Sequence, residues 1–384
     1  TNMHIGLPDQ GCFVLRVWNP AVSGPSVCYL RDGCIVDVTS REVATVRDLL
    51  EQDDPAGWIK SASGEAICTL GELEENSVER PDPKLPYFLA PCDLQPVKAC
   101  GVTFVSSMLE RVIEEQALGD PTKAKAIRGR CETILGDSLT GIVPGSDQAI
   151  ELKNALLAEE AWSQYLEVGI GPDAEVFSKA QALSSVGWGA SVGLHPMSRW
   201  NNPEPEVVLA VNSRGEVKGA TLGNDVNLRD VEGRSALLLG KAKDNNAASS
   251  VGPAIRLFDG TYSIADVRKA ELDLRVTGED GFVMDGHSTM AEISRDPLDL
   301  VGQAYGTHHQ YPDGFMLMMG TLFAPTEDRD HPGGGFTHKM GDIVTISNSD
   351  LGALVNTVRL STECPPWDFA ASHLMRNLAR RGLL

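Results

Sequence analysis

At 384 residues, 42% hydrophobic and 22% charged, the chain has the make-up of an ordinary globular protein with room for a sizeable core and about two domains. A formal net charge of −20 argues against a partner that presents a phosphate backbone or an anionic membrane surface. It leaves open a small anionic substrate, because a nearby metal ion or lysine outweighs a distant field.

The opening TNMHIGLPDQGC has neither a basic nor an apolar leader region, so no secretory signal is expected. No stretch approaches the roughly 18 apolar residues of a membrane span. The eight cysteines are scattered without CxxC or metal-ligand spacing, which predicts reduced thiols and a soluble cytoplasmic protein. In the first ninety residues FVLRVW, SVCYL and CIVDVT read as strands and VATVRDLLEQ as a helix, giving a small N-terminal α+β domain over residues 1–88. The proline-rich ERPDPKLPYFLAPCDLQP then leads into a second domain over residues 89–384. Within it, VSSMLERVIEEQAL, TKAKAIRGRCETILG and ALLAEEAWSQYLE carry helical periodicity with mixed charge on their polar positions, a helical insertion at about 105–165. Beyond Val168 short strands return (EVVLAVN, GEVKGATL, AELDLRVT, IVTIS), and one helix closes the chain in FAASHLMRNLARRGLL. No strand–helix–strand alternation is sustained and GWGASVG has the wrong spacing for a dinucleotide fingerprint. The expected class is α+β, with a β-rich C-terminal domain.

The stretch NNPEPEVVLA poses the first chemical question. Side chains alternate along a strand, so Glu204 and Glu206 share a face with Val208 and Ala210. Two like charges on one face of a half-buried strand repel and lose hydration, which costs stability unless a cation holds them. EVVLAVNSRGEVKGATLGND reads as a hairpin turning at Ser213 and Arg214. Symmetry about that turn sets Glu206 opposite Thr221 and Asn202 opposite Asp225, which brings Asp225 to the same face; a one-residue slip would turn it away. Three carboxylates form an all-oxygen set suited to Mg²⁺, Mn²⁺ or Ca²⁺ rather than zinc. The competing reading is a solvated strand end. Downstream, Arg229 and Lys243 supply positive charge; a lysine desolvated beside a metal has a lowered pKa and works in proton transfer. Their plainer readings are a salt bridge from Arg229 to Asp230 and a surface lysine.

These residues, in this order, resemble the fumarylacetoacetate hydrolase family. The ExE pair Glu204 and Glu206, then Asp225 in NDV-R-D, match the family's Mg²⁺ or Mn²⁺ ligands, and Lys243 in KDNNAASSVGP matches its active-site lysine. Gly320 and Thr321 in MLMMGTLFAP match a Gly-Thr motif that touches substrate, and VFSK contributes Lys179. The resemblance covers residues 89–384 and implies a fumarylacetoacetase-like mixed β-sandwich roll that self-associates as a dimer or tetramer. One departure is informative. Hydrolases of the family carry NYxxHxxE, whose His–Glu pair activates water; here TFVSSMLE has Ser107 in place of the histidine and keeps Glu110.

GVTFVSSMLERVIEE, WSQYLEVGIGPDAEVFSK and HQYPDGF are similar to the family's sugar-acid dehydratase branch. That resemblance implies dehydration of a xylonate-derived 2-keto-3-deoxy-D-pentonate to 2-oxoglutarate semialdehyde. Lys243 is the expected base and Glu110 the acid that assists hydroxide departure, and the exchanged assignment fits almost as well. Ser107, Arg229, Thr321 and Lys179 are the expected substrate contacts. Ser107 also fits an S-x-x-E capping box. The rivals are an acylpyruvate-type C–C hydrolase or decarboxylase and, further off, a non-catalytic sugar-acid sensor. His308 and His309 stay outside the expected catalytic set.

Overall fold

The structure is a computed structural model that describes residues 3–158 and 160–384. Its larger sheet runs from Glu65–Thr69 through Cys34–Asp37, Gly24–Arg31 and Phe13–Asn19 to Ser249–Leu257 at the centre. It continues through Val217–Asp225, Pro205–Val211, Phe315–Met318 and Val97–Gly101 to Glu175–Ala180, while Tyr87–Phe88 pairs with Phe13–Asn19. The second sheet orders Val283–Thr289, Glu271–Thr277, Ile343–Asn348, Gly352–Leu360 and Ser191–Leu194.

One face of the larger sheet packs on the second sheet: Val207, Leu209 and Leu222 share a core with Leu274, Val344 and Leu354. On its other face Val208, Ala210, Ile255 and Met316 meet Leu49, Leu50 and Ile59, which project from helices Val46–Glu51 and Pro55–Ser61. Burial on both faces explains the unbroken apolar runs of the central strands, whereas Glu271–Thr277, with one face in water, alternates. Pro205–Val211 is therefore wholly buried rather than half-buried, and the strain of placing two glutamates at its mouth is correspondingly larger.

The strands of the first ninety residues extend the same sheet, since Phe13 pairs with Arg256 and Val14 with Ile255. The insertion comprises helices Val105–Gln116, Pro121–Leu135, Asp147–Ala158 and Gln164–Ile170, and its core joins Met108, Ile113, Cys131 and Leu166 to Trp200. ALLAEEAWSQYLE is thus not one helix. Ser163 caps a new one, its side chain accepting from the Tyr165 backbone N–H. The closing helix is shorter than its periodic stretch, Ala371–Arg380. Among the described residues no helix is long and apolar enough to cross a membrane, and all eight cysteines are free thiols.

The hairpin differs from the symmetric expectation in an instructive way. Its loop has three residues, Ser213–Gly215, closed by a bond from Asn212 N to Glu216 O, and Gly215 takes the left-handed conformation such a loop needs (φ +75). A bulge between Val217 and Gly219 adds a second offset. Glu206 therefore pairs with Gly223, not Thr221, and the Asn202 bridge goes to Asn227, not Asp225. The total slip is two residues, which preserves the face. Asp225 lands beside Glu204, its backbone N–H bonded to the Glu204 carbonyl at 3.0 Å.

Candidate active site

Glu204, Glu206 and Asp225 each offer a carboxylate oxygen within 4.8 Å of the others, and all three are buried. Lys243 lies between two of them, its Nζ 2.5 Å from Glu204 Oε1 and 3.1 Å from Asp225 Oδ2. Lys179, fully buried, sits 2.9 Å from Asp225 Oδ1 and donates to the carbonyls of Val226 and Lys243. Arg111 Nη2 donates to both Glu204 oxygens at 3.0 and 3.2 Å, and its Nε lies 3.4 Å from Glu232. Glu206 is left out: neither carboxylate oxygen has a hydrogen-bond partner. Burial, then repulsion from Asp225 and Glu204, pushes its pKa far above the usual carboxylate range.

Charge balance makes the same point. Glu175, Glu204, Glu206, Asp225 and Glu232 face three cations, Arg111, Lys179 and Lys243, which leaves two formal negative charges unmatched. An all-oxygen set with a buried, unpartnered carboxylate and that deficit fits a hard divalent cation.

In the metal-free site Lys243 does not have the lowered pKa expected of it beside a metal. Burial alone would lower its pKa, but Asp225, Glu204 and Glu232 outweigh burial and raise it, so the side chain is a held ammonium. Lys179 is the lowered lysine, by burial against the pull of Asp225. Burial also raises Glu175, with Arg111 and Lys243 opposing, and pushes Glu232 up to about 7 against the same two cations.

A narrow cavity of about 10 Å³ opens on this cluster, and Ser107, Arg111, Phe177 and Thr321 are among its walls. Ser107 and Thr321 are thus where the sequence suggested. Ser107 is not the N-cap, which is Phe104; as the third residue of the helix it reaches back to cap it, its hydroxyl accepting from Phe104 N–H and donating to Phe104 O. Thr321 Oγ1 donates to Phe323 O. Lys179 lies behind the ligands rather than on the cavity wall.

Two expected residues sit elsewhere. Glu110 takes a bidentate contact from Arg128 (3.1 and 2.8 Å) and another from Arg229 at 2.7 Å, outside the cavity wall. Arg229 is buried, pairs with Glu110 and with Glu114 at 2.6 Å, and stacks on Trp200 at 4.2 Å. Its salt bridge is not to Asp230, which instead accepts from the Ser198 hydroxyl and the backbone N–H groups of Arg199 and Trp200. Two cations against two carboxylates make this group a closed, balanced one. Arg111 bridges the two groups through Glu114 at 2.8 Å.

Sequence reasoning missed Arg111, Glu175 and Glu232. Glu175 had a signal, since Glu175, Phe177 and Lys179 alternate along one strand and share a face. A Cβ at Gly101 would lie 2.6 Å from Glu175 Oε2, so only glycine leaves that carboxylate its place. Arg111 and Glu232 had none, because their roles depend on contacts across 93 residues and more.

No family model matches the chain. Solved structures agree over nearly the whole of it. A 2-keto-3-deoxy-D-arabinonate dehydratase complexed with magnesium and 2,5-dioxopentanoate superposes with a TM-score of 0.62 at 20% identity, covering 91% of this chain and 99% of that one. A 5-carboxymethyl-2-hydroxymuconate delta-isomerase from Mycobacterium smegmatis gives 0.52 at 17% identity, over 90% and 98%. The fold is fumarylacetoacetase-like. Among curated proteins, a probable 2-keto-3-deoxyxylonate dehydratase of Haloferax volcanii is 29% identical over 194 residues, 50% of this chain and 63% of the relative. A 2-dehydro-3-deoxy-D-arabinonate dehydratase of Saccharolobus solfataricus is 26% identical over 270 residues, 62% of this chain and 87% of the relative. The fumarylacetoacetase-like fold sets the ExE strand and its hairpin partner at the heart of the larger sheet, which is why the carboxylates are buried.

Proposed function

We propose that the chain is a hydro-lyase that converts 2-keto-3-deoxy-D-pentonate to 2-oxoglutarate semialdehyde (2,5-dioxopentanoate). The observation that carries this reading is the buried carboxylate trio with an unpartnered Glu206, set beside a held ammonium and a wall carboxylate in a cavity without histidine. The relatives' names support the substrate. Oxidation at C2 and loss of the C3 hydroxyl leave C4 as the single stereocentre, so the D-xylonate and D-arabinonate derivatives are one compound. A cytoplasmic, self-associating enzyme, as a dimer or tetramer, completes the proposal.

Glu204, Glu206 and Asp225 would hold Mg²⁺ or Mn²⁺, whose Lewis acidity polarises the 2-keto group and acidifies C3. Glu175, a wall carboxylate whose pKa burial raises, takes the C3 proton in this scheme. Lys243, held as the ammonium, donates to the C4 hydroxyl, which leaves as water. Loss of a C5 proton and return of one to C3 then gives the C5 enol, and its tautomerisation gives the aldehyde. Glu110 drops out of this scheme because both of its oxygens are engaged by arginines. Arg111 takes the position facing substrate that Arg229 was expected to fill. Ser107 and Thr321 line the cavity with their hydroxyl protons held by the Phe104 and Phe323 carbonyls, so they shape its wall.

A C–C hydrolase of the kind the resemblance describes activates water with a His–Glu pair. No histidine lines the cavity among the described residues, and the Ser107 hydroxyl is engaged with Phe104. The test is a coupled assay: metal-reloaded protein is given 2-keto-3-deoxy-D-pentonate, and the aldehyde is trapped by an NAD-dependent semialdehyde dehydrogenase. NADH formation with the D compound supports the reading. Pyruvate released from an acylpyruvate, with no NADH from the pentonate, would replace it by the hydrolase.

A further inference from the structure

The inner cavity, about 10 Å³, is too small to be the whole path of a five-carbon acid. A second cavity of about 670 Å³ shares two of its walls, Glu175 and Glu232, and is otherwise largely apolar, with Trp162, Tyr165, Val168 and Leu239 among its lining. It lies between the helical insertion and the turn at Ala236–Leu238. Among the described residues one cation lines it. Lys153 Nζ is 2.6 Å from Glu167 and 5.2 Å from the Trp162 ring centre, and the side chain keeps more than a third of its exposure.

We propose that this outer cavity is the substrate's entrance and that Lys153 is its anion receiver, taking the incoming carboxylate in exchange for Glu167 before the acid passes the Glu175–Glu232 neck. The proposal rests on the dehydratase reading and adds the route to it. The chain carries a net charge of −20, so an anionic substrate meets a repulsive field almost everywhere. Lys153, poised over an aromatic face, is the point on that passage where an incoming anion meets a positive charge, which offsets the field of Glu167, Glu175 and Glu232 over contact distance. Its partner Glu167 is itself half-exposed, so the pair is inexpensive to open. Trp162 offers the ammonium a second contact while the carboxylates change places. Arg111 and Lys243, on the inner cavity wall beyond Glu175 and Glu232, then receive the carboxylate end.

Steady-state kinetics of the metal-loaded full chain test this. Lys153→Gln should raise KM about 3- to 10-fold at low salt with kcat within about twofold, and the gap should close in about 0.5 M salt. Lys153→Arg should restore KM to within about twofold, and Glu167→Gln, which releases the lysine, should shift KM downward. Ala236→Trp, on the exposed wall of the outer cavity, should cut kcat/KM by about tenfold or more without altering the melting temperature. A purely structural pair would move stability and kcat for both the Lys153 and Glu167 variants in the same direction, and that result overturns the proposal. So does a kcat/KM indifferent to Ala236→Trp. Wild-type protein that turns over no pentonate removes the dehydratase reading and this inference with it; active wild type with unresponsive variants removes the inference alone.

Discussion

Two groups of buried charge lie side by side in this molecule, and they are built from the same residue types. In one, Arg128 and Arg229 meet Glu110 and Glu114 with every carboxylate engaged. In the other, carboxylates outnumber cations by two and Glu206 has no partner. The first is closed and rigid and has nothing left to offer a ligand. The second holds unspent acceptor capacity in a low-dielectric site, a condition that costs stability until a cation or a substrate answers it. Burial of charge alone does not mark a site; an unpaid charge does.

The largest expected effect breaks the open group. Glu206→Ala should lower metal-dependent turnover by about 10³-fold, since it removes one of three ligands of the Lewis acid. Its metal-free melting temperature should match or exceed that of the wild type, because a repulsive carboxylate is gone; kinetics and a thermal melt check both arms. Breaking the closed group should do the reverse. Arg229→Met leaves two buried carboxylates short of a partner and should cost about 3–5 kcal/mol in urea unfolding. The folded fraction should keep its turnover within about tenfold.

A closer comparison sets Glu175 against Glu110. Glu175→Gln should drop kcat about 10²-fold with little change in stability, as expected of a proton-transfer group. Glu110→Gln should drop kcat less than tenfold, about the effect of a slightly misplaced neighbour, and destabilise by about 1–3 kcal/mol. Equal losses of kcat would restore Glu110 to the catalytic set.

The smallest effect asks whether an unpartnered buried atom suffices by itself. His338 Nε2 is also orphaned, while Nδ1 is bonded to Asn201, and burial holds its pKa down to about 4. The sign follows from proton counting. The unfolded histidine, with the ordinary value of 6.5, binds the proton first, so the stability it contributes is present above that value and is lost as pH falls toward 4. The difference between wild type and His338→Gln, followed by denaturant unfolding, should change by about 2 kcal/mol between about pH 7.5 and pH 5. Turnover near neutrality should not differ. His338 stays neutral and needs no ligand, which is what separates it from Glu206.

Strand alternation and hairpin pairing are local rules, so residue spacing pointed to the ExE pair and Asp225, whereas Lys243 stood out only through the family resemblance. Spacing missed the register. A three-residue loop and a bulge at Lys218 each moved the pairing by one, and Asp225 kept its face only because the two slips add to an even number. The charge state of Lys243 was not legible, since burial lowers its pKa and only Asp225, Glu204 and Glu232 together outweigh it. Nor was the division of Glu110 from Glu175. Each is an acid at a position suited to the chemistry, and only the arginines that reach Glu110 from distant helices tell them apart.

Direct binding of Mn²⁺ to chelator-treated protein, followed by its spin-resonance signal, tests the central claim most directly. The wild type should take up a resident ion, Glu206→Ala should lose that uptake, and Arg229→Met, where folded, should retain it. Uptake that survives the loss of Glu206, or a wild type that binds none and still turns over substrate, would contradict the account.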